Sequence, residues 1–415
     1  MLQVLIVVIY GLFSAAVAFG GVDDASQPAA PKPIAPMPVT NDAQVRYTRA
    51  ADYSEENGGR AVLIMIGGKT VFERYDNGWS AQKPHPLASG TKSFVGVVAA
   101  AAVEDGLLTW DELASDTLTE WKSDPRKCKI TVRHLLTLSS GLDPSDALLG
   151  GRGGSKLLGQ GAADRARRLG SQDKAPDDLF DAALDVPMKH DPGTKFEYGP
   201  SHFYAFGELL QRKLAAKHAA DPKFPDTTFE SYMHRRVLDP IGLKVGWFAE
   251  DKAGNPNLPG GCLLTASEWV KFGEMVRLQG KWPQADGTLK SVVSWETLAE
   301  CFKPSAMNKD YGLTWWLPAS ANPEASLVAD GVLGELLRRR NESQPARRMV
   351  GPDGEPLKVL MAAGLGKQRL YVIPAYDLVV VRFAEATREG RRYDDREFLA
   401  PILGVTAQGE DASRK

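Results

Sequence analysis

The tetrad Ser89-Gly90-Thr91-Lys92 sets a hydroxyl and an amine three residues apart. Residues i and i+3 share one face of a helix, so Lys92 would lie beside Ser89. The run that follows (Phe94, Val95, Val97, Val98, then Ala99 to Val103, ending at Gly106) reads as an apolar helix. Burial among such side chains disfavours the ammonium form of a lysine. A neutral amine there can take the serine proton and make the hydroxyl a nucleophile. Backbone N–H groups at the start of the helix favour the negative charge that develops on an attacked carbonyl. The same spacing recurs at Ser80/Lys83 and Ser171/Lys174, so spacing alone is weak; only Ser89 opens an apolar run. Taken by themselves, the residues leave open a capping serine followed by a lysine whose stem crosses apolar surface to reach water.

Other chemistries find less support. There is no G-x-S-x-G elbow, no H-E-x-x-H pair and no phosphate-binding loop, and Gly150 to Gly154 lacks a following Lys-Ser/Thr at the required distance. No metal and no cofactor is implied. The three cysteines, Cys128, Cys262 and Cys301, fit neither a zinc pattern nor a disulfide framework, although one bridge is compatible with an oxidising compartment. Cys262 and Cys301 stand in apolar contexts and read as buried. A formal charge of −2 over 415 residues gives no basic field for nucleic acid. The clusters Arg338 to Arg340, Arg347-Arg348 and Arg391-Arg392 read as solvated loops. An apolar fraction of 43% and a charged fraction of 25% suit a soluble globular chain with a sizeable core.

Positioning the tetrad requires a scaffold, and the sequence sketches one. Ala61 to Ile66 and Thr70 to Tyr75, joined at Gly67-Gly68, form a hairpin pattern. Arg369 to Pro374 and Leu378 to Phe383 repeat it near the other end. The two hairpins predict one sheet built from both ends of the chain, with helices at Ser201 to Leu214, Ser267 to Gln279 and Ser294 to Phe302 between them. Val4 to Phe19 is an apolar run ending in Ala16-Val17-Ala18, too short for a membrane span, and residues 1–18 are expected to be a signal peptide. Met1-Leu2-Gln3 carries no cation, which keeps an uncleaved anchor as the alternative. Either reading puts the body outside the cytoplasm, periplasmic or extracellular. Residues 19–46 read as a proline-rich linker, 47–405 as the folded domain with a helical region over roughly 105–300, and 406–415 as a polar tail. The glycine-rich stretch between Asp143 and Pro187 reads as a functional loop or a plain insertion.

Six blocks in order carry a resemblance. They are Ser89 to Phe94, Glu104 to Asp111, Ile130 to Thr137 with Ser139-Ser140-Gly141-Leu142, Pro192 to Tyr198, Leu263 to Trp269, and Tyr311 to Trp316. From Ala61 to Ala384 the chain resembles the serine hydrolases related to class C beta-lactamases, DD-peptidases, 6-aminohexanoate-dimer hydrolase and family VIII esterases. The resemblance implies an α+β serine beta-lactamase/penicillin-binding fold: an antiparallel sheet flanked by helices, plus an all-helical region, with the site in the cleft between them. It implies a small-molecule ester or amide substrate, peptide-like ones included, cleaved through an acyl-enzyme on Ser89.

By the same resemblance Lys92 is the base and Tyr198, otherwise readable as a core aromatic, relays the proton. The chain departs from the family where a Tyr-x-Asn motif is usual: here Tyr198-Gly199-Pro200-Ser201 has no asparagine. Ser201 is the candidate substitute hydroxyl, and Pro200 suits the start of a helix. The third motif departs too. Ala362-Ala363-Gly364-Leu365-Gly366-Lys367-Gln368 has no lysine or histidine in first place, which disfavours beta-lactam turnover. Gly364 and Leu365 are the expected wall of the oxyanion hole, with the Leu365 N–H pairing with that of Ser89, because backbone donors impose no side-chain identity. His134 and His202 are expected to pack or hydrogen-bond. A DD-peptidase and a sensor that is acylated without turnover remain as alternatives.

Overall fold

The computed structural model describes residues 41–144, 176–318, 351, 356–385 and 393–405. Five antiparallel strands make the principal sheet. β1 (Gly59–Ile66) and β2 (Lys69–Tyr75) form one hairpin, β4 (Gln368–Ile373) and β5 (Leu378–Ala384) another, and β3 (Leu360–Gly364) is an edge strand. The order is β2-β1-β5-β4-β3, and β1 pairs with β5 from Gly59↔Ala384 to Ile66↔Leu378. The two ends of the chain therefore share one sheet, as the paired hairpin patterns imply.

Helices cover both faces of the sheet. Side chains alternate along a strand, so neighbours on β5 report opposite faces. Arg382 reaches Ser54 of helix α1 (Asn41–Glu56), while Phe383 stacks on Trp269 of helix α5 (Ala266–Arg277) at 5.6 Å. Covered on both faces, β3, β4 and β5 are buried at every position. At Gly273 helix α5 comes so close that a Cβ would stand 2.6 Å from Val379. Behind α5 runs α2 (Lys92–Glu104), with Phe94 stacked on Phe272 at 4.0 Å. Further out are the short α3 (Val132–Leu136) and the long α4 (Ser201–Ala220), and α6 (Asp395–Leu403) packs with α1 on the other face.

Some boundaries differ from expectation. Helix α1 begins at Asn41 with Ala43 fully buried, so the expected linker over 19–46 gives way to core structure at its last six residues. The segment over 294–302 is a turn of α-helix, Trp295–Leu298, followed by a 3₁₀ turn, Ala299–Phe302. The expected signal peptide, the polar tail, the three arginine clusters and most of the Asp143 to Pro187 stretch lie outside the described residues.

Candidate active site

The Ser89 turn is held by backbone on both sides. His85 and Pro86 pair with Leu264 and Leu263, and Leu87 N–H donates to the Cys262 carbonyl at 2.9 Å. The chain then bends through Ala88, whose φ of +48° is rare for a residue with a Cβ, into a 3₁₀ turn, Ala88–Thr91. Thr91 clamps the bend: its hydroxyl donates to Ala88 O at 2.8 Å and accepts from Cys262 N at 3.2 Å. Helix α2 starts at Lys92, so Ser89 precedes the helix and makes no side-chain cap.

Lys92 is 5% exposed. Its Nζ lies 2.9 Å from Ser89 Oγ and donates to the Pro259 carbonyl at 2.6 Å. The rings of Tyr198 and Phe203 stand 4.9 and 5.3 Å from it. An amine this close to a hydroxyl is within reach of direct proton transfer. The Pro259 carbonyl, 167 residues along the chain, had no signal in the sequence, because any residue can supply a carbonyl. The decoy tetrad at Ser80 is a surface turn in which Lys83 sits 4.0 Å over the Trp79 ring; Ser171 and Lys174 lie outside the described residues.

Tyr198 is placed by aromatic stacking and by the loop before α4. Its ring stacks on Trp316 at 5.9 Å, and Trp316 N–H donates to Met361 O at 2.9 Å on the edge strand. The preceding residue, Glu197, is tied down from several sides. Its N–H donates to Leu138 O at 2.8 Å, and its carboxylate meets Lys189, His190 and Lys195 at 3.2, 3.1 and 2.5 Å. Burial works against that carboxylate's charge, but Lys195 and Lys189 outweigh it and hold its pKa below the usual range. Glu197 O takes a hydrogen bond from His202 Nε2 at 2.8 Å. A carbonyl only accepts, so Nε2 carries the proton and Nδ1 accepts from Ser140 Oγ at 2.8 Å. Burial depresses the His202 pKa to about 4, which keeps this bridge neutral. His202 and His134 are thus structural: His134 and Thr131 cap α3 reciprocally.

Ser201 is a correction. It is fully buried, and its hydroxyl donates to Asp143 O at 2.6 Å, pinning the start of α4 rather than facing a substrate. Pro200 stands at the N-cap of that helix, where its missing N–H costs nothing. Asn257 was not anticipated: buried two residues before Pro259, its Oδ1 accepts from Tyr204 OH at 3.2 Å.

The edge strand closes the third side. A Cβ on Gly364 would stand 2.0 Å from Leu87 O and 3.1 Å from Gly90 N, so glycine lets β3 touch the Ser89 turn. Leu365 follows immediately, in a tight turn with Gly366 at φ +80° and Lys367 at φ +64°. Gln368 is buried; its amide donates to Leu365 O at 3.1 Å and Ala384 O at 2.6 Å and accepts from Ala384 N at 2.8 Å. It locks the turn. Ala362 and Ala363 bring no charge, as the sequence indicates.

Comparison with known proteins sets this arrangement in context. The octameric penicillin-binding protein homologue from Pyrococcus abyssi superposes with a TM-score of 0.59 at 17% identity, over 89% of this chain and 79% of that one. The D-stereospecific amidohydrolase from a Streptomyces species gives 0.58 at 13%, over 87% and 99%. These likenesses show the serine beta-lactamase/penicillin-binding fold. Among curated proteins, Protein flp from Staphylococcus aureus is 22% identical over 56% of this chain and 49% of its own length. Lovastatin esterase from Penicillium rubens is 30% identical over 39% of each chain. The alignments thus span about half or less of these relatives. The family model described as Beta-lactamase matches residues 46–403, from within α1 through the last residue of α6. Fold and match extend over the same elements, and the chain belongs to the beta-lactamase family.

Proposed function

We propose that this chain is an exported serine hydrolase that cleaves an ester or amide through a Ser89 acyl-enzyme. The observation that carries the reading is the 2.9 Å approach of Lys92 Nζ to Ser89 Oγ, with Lys92 buried and its second direction taken by Pro259 O. Lys92 takes the Ser89 proton as Oγ bonds to the substrate carbonyl carbon. The oxyanion is met by the backbone N–H groups of Ser89 and Leu365. As the bond to the leaving group breaks, that group takes the proton back from Lys92, directly or through Tyr198. Water then releases the acyl group by the same steps in reverse order.

The names of relatives support an ester or amide substrate: one is an esterase and one an amidohydrolase. The uncharged Ala362-Ala363 argues against recognition of a drug carboxylate. Residues 1–18 act as the secretion signal in this reading, and 41–405 as the catalytic domain.

Stopped-flow hydrolysis of p-nitrophenyl acetate by protein recovered from outside the cytoplasm tests this. A burst stoichiometric with enzyme, then steady turnover, is expected. Ser89→Ala should lose both, and Lys92→Ala should slow acylation by about 10³-fold. A burst that survives in Ser89→Ala sinks the assignment. Ser89-dependent activity confined to the cytoplasm sinks the export reading, and a burst without turnover favours an acylated sensor.

A further inference from the structure

Leu365 is 56% exposed, a large apolar side chain left in water one residue beyond the point where β3 meets the Ser89 turn. Single exposed leucines are common and need no explanation. This one is distinguished by where and how it is held. Its carbonyl is bound by the buried Gln368, and two residues on, Lys367 O accepts from the buried Arg382 at 2.9 Å. The backbone of the turn cannot move away from the Ser89 turn without breaking both.

We propose that the Leu365 side chain selects the acyl group, and that the site takes neutral esters whose acyl part is a straight apolar chain of several carbons. The inference rests on the acyl-enzyme reading above. With the carbonyl oxygen between the Ser89 and Leu365 N–H groups, the carbonyl carbon has two remaining substituents. The leaving group must face Lys92 and Tyr198, which return its proton. The acyl group is therefore directed away from them, along the β3 turn and onto Leu365. Ala362, Ala363 and Gly364 supply no charge on that path. The neighbouring cation is Lys367, half-buried two residues further on. It makes a chain ending in a carboxylate the competing substrate.

The test is kcat/KM for the p-nitrophenyl esters of acetate, butyrate and hexanoate and for the mono-p-nitrophenyl ester of adipate. The wild type should improve with chain length and prefer hexanoate to the adipate monoester. Leu365→Ala should lower the hexanoate-to-acetate ratio about tenfold, the loss expected when two methylenes no longer find an apolar partner. Leu365→Met should restore most of it. A purely structural role would move all the esters together. An unchanged ratio in Leu365→Ala, or a wild-type preference for the adipate monoester, overturns the proposal while the Ser89-dependent burst leaves the acyl-enzyme reading standing. Absence of a Ser89-dependent burst with every ester overturns both.

Discussion

Four residues past Tyr198 stands a buried imidazole. His202 bridges Ser140 and the Glu197 carbonyl, and the bond to the carbonyl places a proton on Nε2. Burial depresses its pKa from 6.5 to about 4, opposed by the hydrogen bond to Glu197. His85, stacked on Phe383 at 4.8 Å, is depressed to about 4 in the same way. The consequence for stability has a definite sign. Between pH 6.5 and 4 the unfolded chain binds protons that the native state refuses, so acidification favours unfolding. The contribution is fully present above pH 6.5 and is lost as the pH falls towards 4, at a cost on the order of a few kcal/mol per histidine. Thermal melts from pH 7.5 to 4.5 should show a shallower decline in His202→Gln than in the wild type. Parallel declines would show that His202 is protonated in the native state.

Beside the Ser89 turn and helix α2, elements meet closely at Gly96 and Gly364, and there the spacing of backbone matters more than any side chain. On α2, Gly96 N–H donates to Thr314 Oγ1 at 3.1 Å, and a Cβ would stand 2.4 Å from that oxygen. Here the Tyr311 to Trp316 block lies against the helix that follows Ser89. On β3, Gly364 touches Leu87 O and Gly90 N. Both are backbone atoms within a clamped turn, so a methyl group can be accommodated only by moving the strand or the Ser89 turn. Gly364→Ala should cost roughly 1–3 kcal/mol of stability. If the proposed Ser89 acyl-enzyme operates, it should lower kcat/KM by about a hundredfold, because the Leu365 N–H would be displaced from Ser89. Denaturant unfolding beside burst kinetics checks this. A stable, fully active variant would mean that the turn yields freely and that its rigidity has no part in placing Leu365.

The molecule as a whole is closed by a buried polar network on the face away from α5. Arg369 Nε pairs with Asp395 Oδ1 at 2.8 Å, both 1% exposed or less. Tyr371 OH donates to the same carboxylate and pairs with Tyr393 OH at 2.8 Å. The Arg382 guanidinium lies 3.9 Å over the Tyr393 ring, with hydrogen bonds to Ser54 Oγ and Asn57 O at 2.9 Å. The network joins α1, the sheet and α6, so it connects the two ends of the domain. Burial lowers the Arg382 pKa. Removing one member leaves a buried charge without its counter-ion. Asp395→Ala should therefore cost about 3–5 kcal/mol in urea unfolding. A loss below about 1 kcal/mol would mean that water or rearrangement relieves Arg369 in the native state.

Local features of this protein could be read from its sequence. A serine, a lysine three residues on and an apolar run predict the helix and the face they share, because helical spacing is a property of neighbours. The two β-hairpin patterns predict strands at both ends, and six ordered blocks point to the family. What the sequence left open was decided by contacts across long separations. Lys92 finds Pro259 O, and His202 finds Ser140, through atoms or pairings that no local pattern marks. The Ser201 hydroxyl is read from its sequence as available, but the fold commits it to Asp143 O. Linker composition at Asn41 to Arg46 resembles any polar segment until the fold buries Ala43. Side-chain identity and spacing carry chemistry along the chain, whereas backbone carbonyls look alike at every residue and gain meaning only from what the fold brings against them.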